Sequence, residues 1–366
     1  MIKAKSYIEN IKPYIAGKSK IGNKNVIKLS SNENSLGSSN KAVEAYKNAS
    51  DQLFRYPDGP SSDLREAISK KYNIEKERIT CGAGSDEIIS LLIEAFAGDG
   101  DAIIQSEYGF LMYQISATKF GAKTIKAKEI NLKTDINEII KLISSKTKII
   151  FIANPNNPTG SYINKVELDK LIQNTPKNII IAMDLAYAEY IDENDYPNII
   201  EYVKNYENVI MMRTFSKIHG LAALRLGWCY SSQYIADSLN KVRGPFNVSM
   251  AAQKAGIAAI NDIEFVKKSK DYNKKQLEFV KNELLRLNIK FYTSFANFIL
   301  IDFKNEKNCQ KINQYLLNNG MIIRDVKAYN LPYCLRMTIG TMEENKEFIR
   351  LLESFFQKIL YHNKVC

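Results

Sequence analysis

Residues 213–228, RTFSKIHGLAALRLGW, set one lysine, Lys217, behind two hydroxyls, Thr214 and Ser216, and follow it with Arg225. The rest of the segment is mostly apolar or small. Cations in such surroundings have two uses. They snorkel to water from a loop, or they meet an anionic, carbonyl-bearing ligand. In the second use a lysine amine condenses with an aldehyde, while hydroxyls and a guanidinium hold a phosphate. Other stretches offer matching groups. AMDLAYAEY ends an apolar run with Asp184 and places Tyr187 three residues on. A carboxylate there is unfavourable unless paired, by a helix end, a cation or a protonated ring nitrogen. In NPNNPTG, residues 154–160, Asn and Pro mark a turn, and Asn157 offers a side-chain donor. CGAGSDEII brings Gly84, Ser85 and Asp86 to a strand-to-helix join, where unbonded amides bind phosphate. Tyr108 in SEYGF is a strand-end aromatic; as one of 21 tyrosines it reads equally well as core.

These groups need a scaffold, and the pattern around them supplies one. DLREAISKKYNI has helical spacing, and RITCGAG reads as a strand running into glycines. SDEIISLLIEAFAG predicts a helix with Ser85 as N-cap and Gly98 as its stop. DAIIQSE, TKIIFIA (ending in the turn-rich NPNNPTG), NIIIAMD and NVIMMRT carry continuous apolar runs, so they predict strands buried on both faces of a mostly parallel sheet. The fold class is α/β. Ligands of open α/β sheets sit beyond the carboxyl ends of the strands. Gly84, Tyr108, Asn157, Asp184 and Lys217 all follow predicted strands. Along one sheet edge they offer a lysine for an aldehyde, an acid for a pyridinium nitrogen and a phosphate cradle, which are the needs of pyridoxal phosphate. Beyond about residue 260 a long charged amphipathic helix, then strand, helix, strand and helix, predict a smaller α+β domain. The expected division is an N-terminal arm over 1–29 without a core of its own, a large domain over 30–260 and a small domain over 261–366.

Length and composition bound the rest. A chain of 366 residues holds about two domains. Its net charge of +11 comes from scattered lysines without interleaved aromatics. That argues against a nucleic-acid partner and for anionic small molecules. The five cysteines are irregularly spaced, which predicts a reducing compartment and neither disulfides nor zinc. With two histidines, a His-rich metal site is excluded and no metal is expected. No apolar run reaches membrane-spanning length and no signal-like segment opens the chain, so a cytoplasmic protein is expected.

The segments LSSNENSLGSS, FRYPDG, GAGSDEII, NPNNPTG, DLAYAEY, RTFSKIHGLAALRLGW, RGPFNVS and LRMTIGT run in order from Leu29 to Thr341. They resemble the fold-type I PLP-dependent aminotransferases, and RYPDG with NENSLG resembles the histidinol-phosphate aminotransferase group among them. The resemblance implies a large domain with a seven-stranded, mostly parallel sheet between helices, and a small α+β domain. It implies a Schiff base between Lys217 and pyridoxal 5′-phosphate, with Lys217 then moving the proton between the substrate Cα and C4′ of the cofactor. Asp184 would hold the ring nitrogen protonated, Tyr187 would bond the ring hydroxyl beside Asn157, and Tyr108 would stack on the ring. Ser85, Thr214, Ser216 and Arg225, with Gly84 and Asp86 in the same turn, would surround the cofactor phosphate. Tyr56 would reach the phosphate of a neighbouring subunit, which implies a homodimer. Arg324 and Arg336 would bind the anionic end of the substrate, with Tyr14 and Asn32 lining its pocket.

The implied reaction moves an amino group from a small phosphorylated amine or amino acid to a 2-oxo acid, with L-histidinol phosphate and 2-oxoglutarate as the leading pair. Ser35 stands where the group usually has proline, and this removes a fixed φ. Proteins of the same build aminate other phosphorylated carbonyl compounds, such as dihydroxyacetone phosphate to serinol phosphate. Others transaminate aromatic amino acids, or decarboxylate phosphoserine or phosphothreonine. A non-catalytic binding protein is a reading from another class, and the intact Lys217 and Asp184 argue against it.

Overall fold

The structure is a computed structural model; it describes residues 2–9, 11 and 26–365, with side chains to residue 357. Its strands, in chain order, are β1 (Ile27–Leu29), β2 (Ile79–Gly82), β3 (Ala102–Ser106), β4 (Lys123–Ala127), β5 (Glu129–Ile130), β6 (Lys133–Thr134), β7 (Thr147–Ala153), β8 (Ile180–Asp184), β9 (Val209–Thr214), β10 (Gly227–Tyr230), β11 (Lys290–Tyr292), β12 (Phe298–Asp302), β13 (Met321–Asp325) and β14 (Cys334–Thr338). The chain divides into two compact units. One holds Ser38–Asn157, Ser161–Val266 and the described part of Met1–Tyr14. The other holds Lys267–Cys366, Pro158–Gly160 and the described part of Ile15–Gly37.

The first unit is built on a seven-stranded sheet of order β2-β10-β9-β8-β7-β3-β4. All neighbours are parallel except β10, which runs against both β2 and β9. The continuous apolar runs follow from a sheet covered on both faces. Ile150, Ile152, Ile181, Met183 and Met211 enter one core, while Ile149, Phe151, Ile180, Ala182, Ile210 and Met212 enter the other. Alternate residues of each strand thus point to opposite cores, as the pleat requires. Each fully buried Ile, Met or Phe contributes roughly 1.5–3 kcal/mol relative to exposure.

The sheet decides where chemistry is possible. Gly82, Ser106, Ala153, Asp184 and Thr214 are the last residues of β2, β3, β7, β8 and β9. Gly227 begins the reversed β10 and pairs with both Gly82 and Thr214, so the approach to β10 lies at the same edge. The helix Ser85–Phe96 starts there, capped by Gly84 rather than by Ser85 as its sequence suggested. The cap has φ of 85°, a left-handed conformation that a serine side chain would strain.

The second unit has a five-stranded sheet of order β1-β13-β14-β12-β11, backed by the helices Glu306–Asn318 and Met342–Val365. Its core gathers Ile299, Ile301, Leu316, Leu335, Met337, Phe348 and Leu352. β1 lies parallel to β13 and buries Leu29 in that core. Residues 30–37, expected with the large domain, go with this unit instead. Arg336 Nη2 donates to the carbonyl of Ser30 at 2.9 Å, and the amide of Asn32 donates to Thr338 Oγ1 at 2.8 Å. Among the described residues no helix is long and apolar enough to cross a membrane, and no group of three or more His, Cys, Asp and Glu side chains is placed to hold a metal ion.

Candidate active site

Asp184 ends β8 with its side chain buried. Oδ2 accepts the hydroxyl of Tyr113 at 2.8 Å, and Oδ1 accepts the amide of Ala186 at 3.3 Å. Burial pushes its carboxyl up to about 6. The Tyr113 bond opposes that rise, the charge of Asp86 adds to it, and Lys217 lowers it. Asp86, Asp184 and Lys217 therefore share one electrostatic neighbourhood, although 98 and 33 residues separate them in sequence. The Lys217 ammonium lies 5.8 Å from the ring centroid of Tyr187. Tyr187 is itself buried, one turn beyond β8.

An anion cradle forms beside this group. Arg225 Nη2 pairs with Asp86 Oδ2 at 2.9 Å, and Nη1 reaches Ser216 Oγ at 3.4 Å. Thr214 Oγ1 accepts the amide of Ser216 at 3.1 Å and so shapes the turn before Lys217. Two glycines make the cradle possible. A Cβ on Gly84 would lie 2.5 Å from Arg225 Nη2, and one on Gly227 would lie 2.4 Å from the amide nitrogen of Ser85. The start of the helix Ser85–Phe96 thus meets Arg225 and two hydroxyls, with the helix dipole favouring negative charge. Asn247 braces the turn from behind, donating to Glu87 Oε2 at 2.7 Å and to the carbonyl of Cys81 at 3.1 Å.

Tyr108 follows β3 half-buried, and Asn157 is buried in the loop after β7. The Tyr108 backbone is fixed at both ends. Its amide donates to Glu129 Oε1 at 3.3 Å, and its carbonyl accepts Asn156 Nδ2 at 3.3 Å. His219, two residues past Lys217, is buried against Phe215, and burial pushes it down to about 4.

Sequence reasoning passed over several supporting residues. Tyr113 sits inside a helix and reads as core. Glu129 reads as a surface charge, yet Ser106 and Tyr108 both donate to it and burial raises its carboxyl to about 7. Arg213, buried on β9, forms an ion pair with the partly buried Glu189 and pins the turn after Tyr187 to β9. A charged residue inside an apolar run was the available signal for Arg213. Glu129 and Glu189 gave none.

In the second unit, Arg324 and Arg336 lie directly opposite each other on β13 and β14. Like charges so placed repel. Asn32 is buried beside Arg336's strand, at φ of 55°, and its carbonyl accepts Asn297 Nδ2 at 3.0 Å. Tyr14 lies outside the described residues. Tyr56 belongs to the first unit, where it is 80% exposed and stacked on Phe246 with ring centroids 4.7 Å apart.

An open sheet of this order, with polar side chains gathered where five strands end and one begins, is the large domain of a fold-type I transferase. The chain belongs to the aminotransferase class I and II family, whose family model matches residues 24–352. It is 43% identical over 359 residues to the histidinol-phosphate aminotransferase of Maricaulis maris, covering 97% of this chain and 99% of the relative. It is 42% identical over 352 residues to the enzyme of the same name from Rhodopseudomonas palustris strain BisB18, covering 95% and 96%. Among solved structures, the histidinol-phosphate aminotransferase of Sinorhizobium meliloti, in complex with pyridoxal 5′-phosphate, superposes with a TM-score of 0.90 at 21% identity, over 96% of this chain and 98% of that one. A Thermus thermophilus aspartate aminotransferase tetra mutant reaches 0.83 at 17% identity, over 96% and 99%. At these identities the two structures share a fold with this chain.

Proposed function

We propose that the chain is a PLP-dependent aminotransferase that moves the amino group of L-histidinol phosphate to 2-oxoglutarate. One observation carries the reading: Lys217, the buried Asp184 and the Arg225 cradle meet at one sheet edge, in a chain that matches named histidinol-phosphate aminotransferases over nearly its whole length. The donor set fits pyridoxal 5′-phosphate. A buried carboxylate already raised to about 6 gains from a cationic ring nitrogen, and the glycine-cleared cradle offers amides, hydroxyls and a guanidinium to a phosphate.

When bound, the cofactor supplies an electron sink for the bond broken at the substrate Cα. The protein does the rest. Asp184 accepts the ring N–H and keeps that nitrogen charged. Arg225, Ser216, Thr214, Ser85 and the amides at Gly84 and Asp86 anchor the phosphate. Tyr187 and Asn157 orient the ring edge, and Tyr108 covers its face. Lys217 Nζ would take the proton from the substrate Cα and deliver it to C4′ of the cofactor. Arg324 and Arg336 receive the substrate's anionic end, with Asn32 beside them and Tyr14 completing the pocket. Two copies of the chain form the active protein, each lending Tyr56 to the other's phosphate. A reducing cytoplasm is the compartment that suits its four described cysteines, all buried thiols.

A half-reaction tests the substrate. The cofactor-loaded protein is mixed separately with L-histidinol phosphate, serinol phosphate, phosphoserine and phenylalanine, and its visible absorbance is followed. Rapid bleaching by histidinol phosphate alone is the expected result. Bleaching only by serinol phosphate would replace the substrate and keep the chemistry. Carbon dioxide release from phosphoserine would move the protein to the decarboxylases.

A further inference from the structure

Tyr113 has no part in the steps above, yet it is the side chain that grips Asp184. We infer that Tyr113 is a positioning residue whose hydroxyl fixes the orientation of the Asp184 carboxylate, the group that receives the ring nitrogen of the cofactor. The inference rests on the reading of this edge as a pyridoxal phosphate site.

The geometry leaves the hydroxyl little freedom. Tyr113 lies on the helix Leu111–Lys119 and is fully buried. Its ring stacks on Phe151 of β7 at 4.6 Å and 10°, and meets Phe110 edge-on at 5.8 Å. β7 is the neighbour of β8, so the stack aims the hydroxyl across one strand at Asp184 Oδ2, 2.8 Å away. A phenol has one proton to give. Given to Oδ2, it turns the carboxylate into a fixed plane, with Oδ1 on the amide of Ala186. The charged and titratable groups facing this carboxylate are Asp86 from the helix Ser85–Phe96, Lys217 from the turn after β9, and Tyr196 from the loop after β8. Asp86 and burial favour a neutral carboxyl; Tyr113 and Lys217 favour the charged one. Without the hydroxyl, the balance moves toward a protonated group with one hydrogen bond fewer to hold its plane.

Tyr113→Phe keeps the stack and removes the donor. The first readout needs no cofactor: the unfolding midpoint of cofactor-free protein between about pH 4 and about pH 8, for the wild type, Tyr113→Phe, Asp184→Asn and the double variant. Asp184 binds its proton more tightly folded than unfolded, so the wild type loses stability as pH rises through about 6. In Tyr113→Phe that loss should extend to higher pH by about one unit, and in the Asp184→Asn background the tyrosine substitution should have no pH-dependent effect. A midpoint lowered equally at every pH would make Tyr113 a packing residue and overturn the inference. The second readout is equilibrium dialysis of pyridoxal 5′-phosphate. Tyr113→Phe should weaken binding roughly tenfold, and should add little to the defect of Asp184→Asn. Unchanged affinity in Tyr113→Phe would overturn it. A wild-type protein that binds no cofactor would sink the function reading, while the cofactor-free arm would still report whether Tyr113 governs Asp184.

Discussion

Lys217, Arg225 and Glu129 lie at the same sheet edge in different surroundings, so their substitutions should separate. Lys217→Arg keeps a cation but removes an amine able to take up a proton, and should lower kcat by roughly 10²–10⁴-fold, as loss of a positioned base does. Steady-state kinetics on cofactor-loaded protein checks this; a drop below tenfold would mean another base. Arg225 is half exposed and its ion pair with Asp86 is solvated, so the pair contributes at most about 1 kcal/mol to stability. Its fork is proposed to hold the phosphate instead. Arg225→Lys should leave the melting temperature nearly unchanged while weakening pyridoxal phosphate about tenfold in a fluorescence titration. Equal damage to both would contradict the cradle. Glu129 carries a pH prediction. Its folded carboxyl titrates near 7, above its ordinary value, mainly because of burial. Its contribution is therefore fully present below the unfolded value and is lost as pH rises through about 7. Glu129→Gln retains an acceptor for Ser106 and Tyr108, and should flatten that loss, raising stability at alkaline pH by at most about 3 kcal/mol. Chemical unfolding at acidic and alkaline pH measures it, and an unchanged pH slope would contradict the assignment.

At the scale of elements, the antiparallel β10 delivers Arg225 to the edge where its parallel neighbours end. That geometry makes Gly227 indispensable. Gly227→Ala puts a methyl against the backbone of Ser85 and Gly84, which cannot yield as a flexible side chain would. It should destabilise by roughly 1–3 kcal/mol and loosen the phosphate as well. Calorimetry with a cofactor titration checks both, and a silent substitution would mean the helix start shifts freely. The buried strands were legible from sequence because β7, β8 and β9 are apolar on both faces. Asp184 and Lys217 stood out because a charge at the end of such a run needs a reason. β1 was not legible: three residues have no pattern of their own, and their partner, β13, lies almost three hundred residues away. Nor was Tyr113 legible, since a helix-interior tyrosine is indistinguishable from core until the stack on Phe151 shows where its hydroxyl points. The N-cap at Gly84 was missed because Ser85 has the better capping side chain, and only the close approach of Gly227 favours a helix start one residue earlier.

At the scale of the whole molecule, Leu53, Phe54, Tyr56 and Phe246 form exposed apolar surface on one unit of the chain. A second copy is the partner proposed to use Tyr56. Subunits carrying Tyr56→Ala and subunits carrying Lys217→Ala should each be impaired alone. Mixed and reassembled, half of the dimers are hybrids with one intact site in two, so activity should recover to about one quarter of wild type. Activity no higher than the average of the two parents would contradict a shared site. The most direct test of the account joins the chain to its cofactor covalently. Protein incubated with pyridoxal 5′-phosphate is reduced with borohydride, digested and mapped by mass. One cofactor-derived mass increment is expected, on the peptide that contains Lys217, lost in Lys217→Ala. Labelling spread over surface lysines, or fixed on a different lysine, would show that Lys217 does not hold the cofactor.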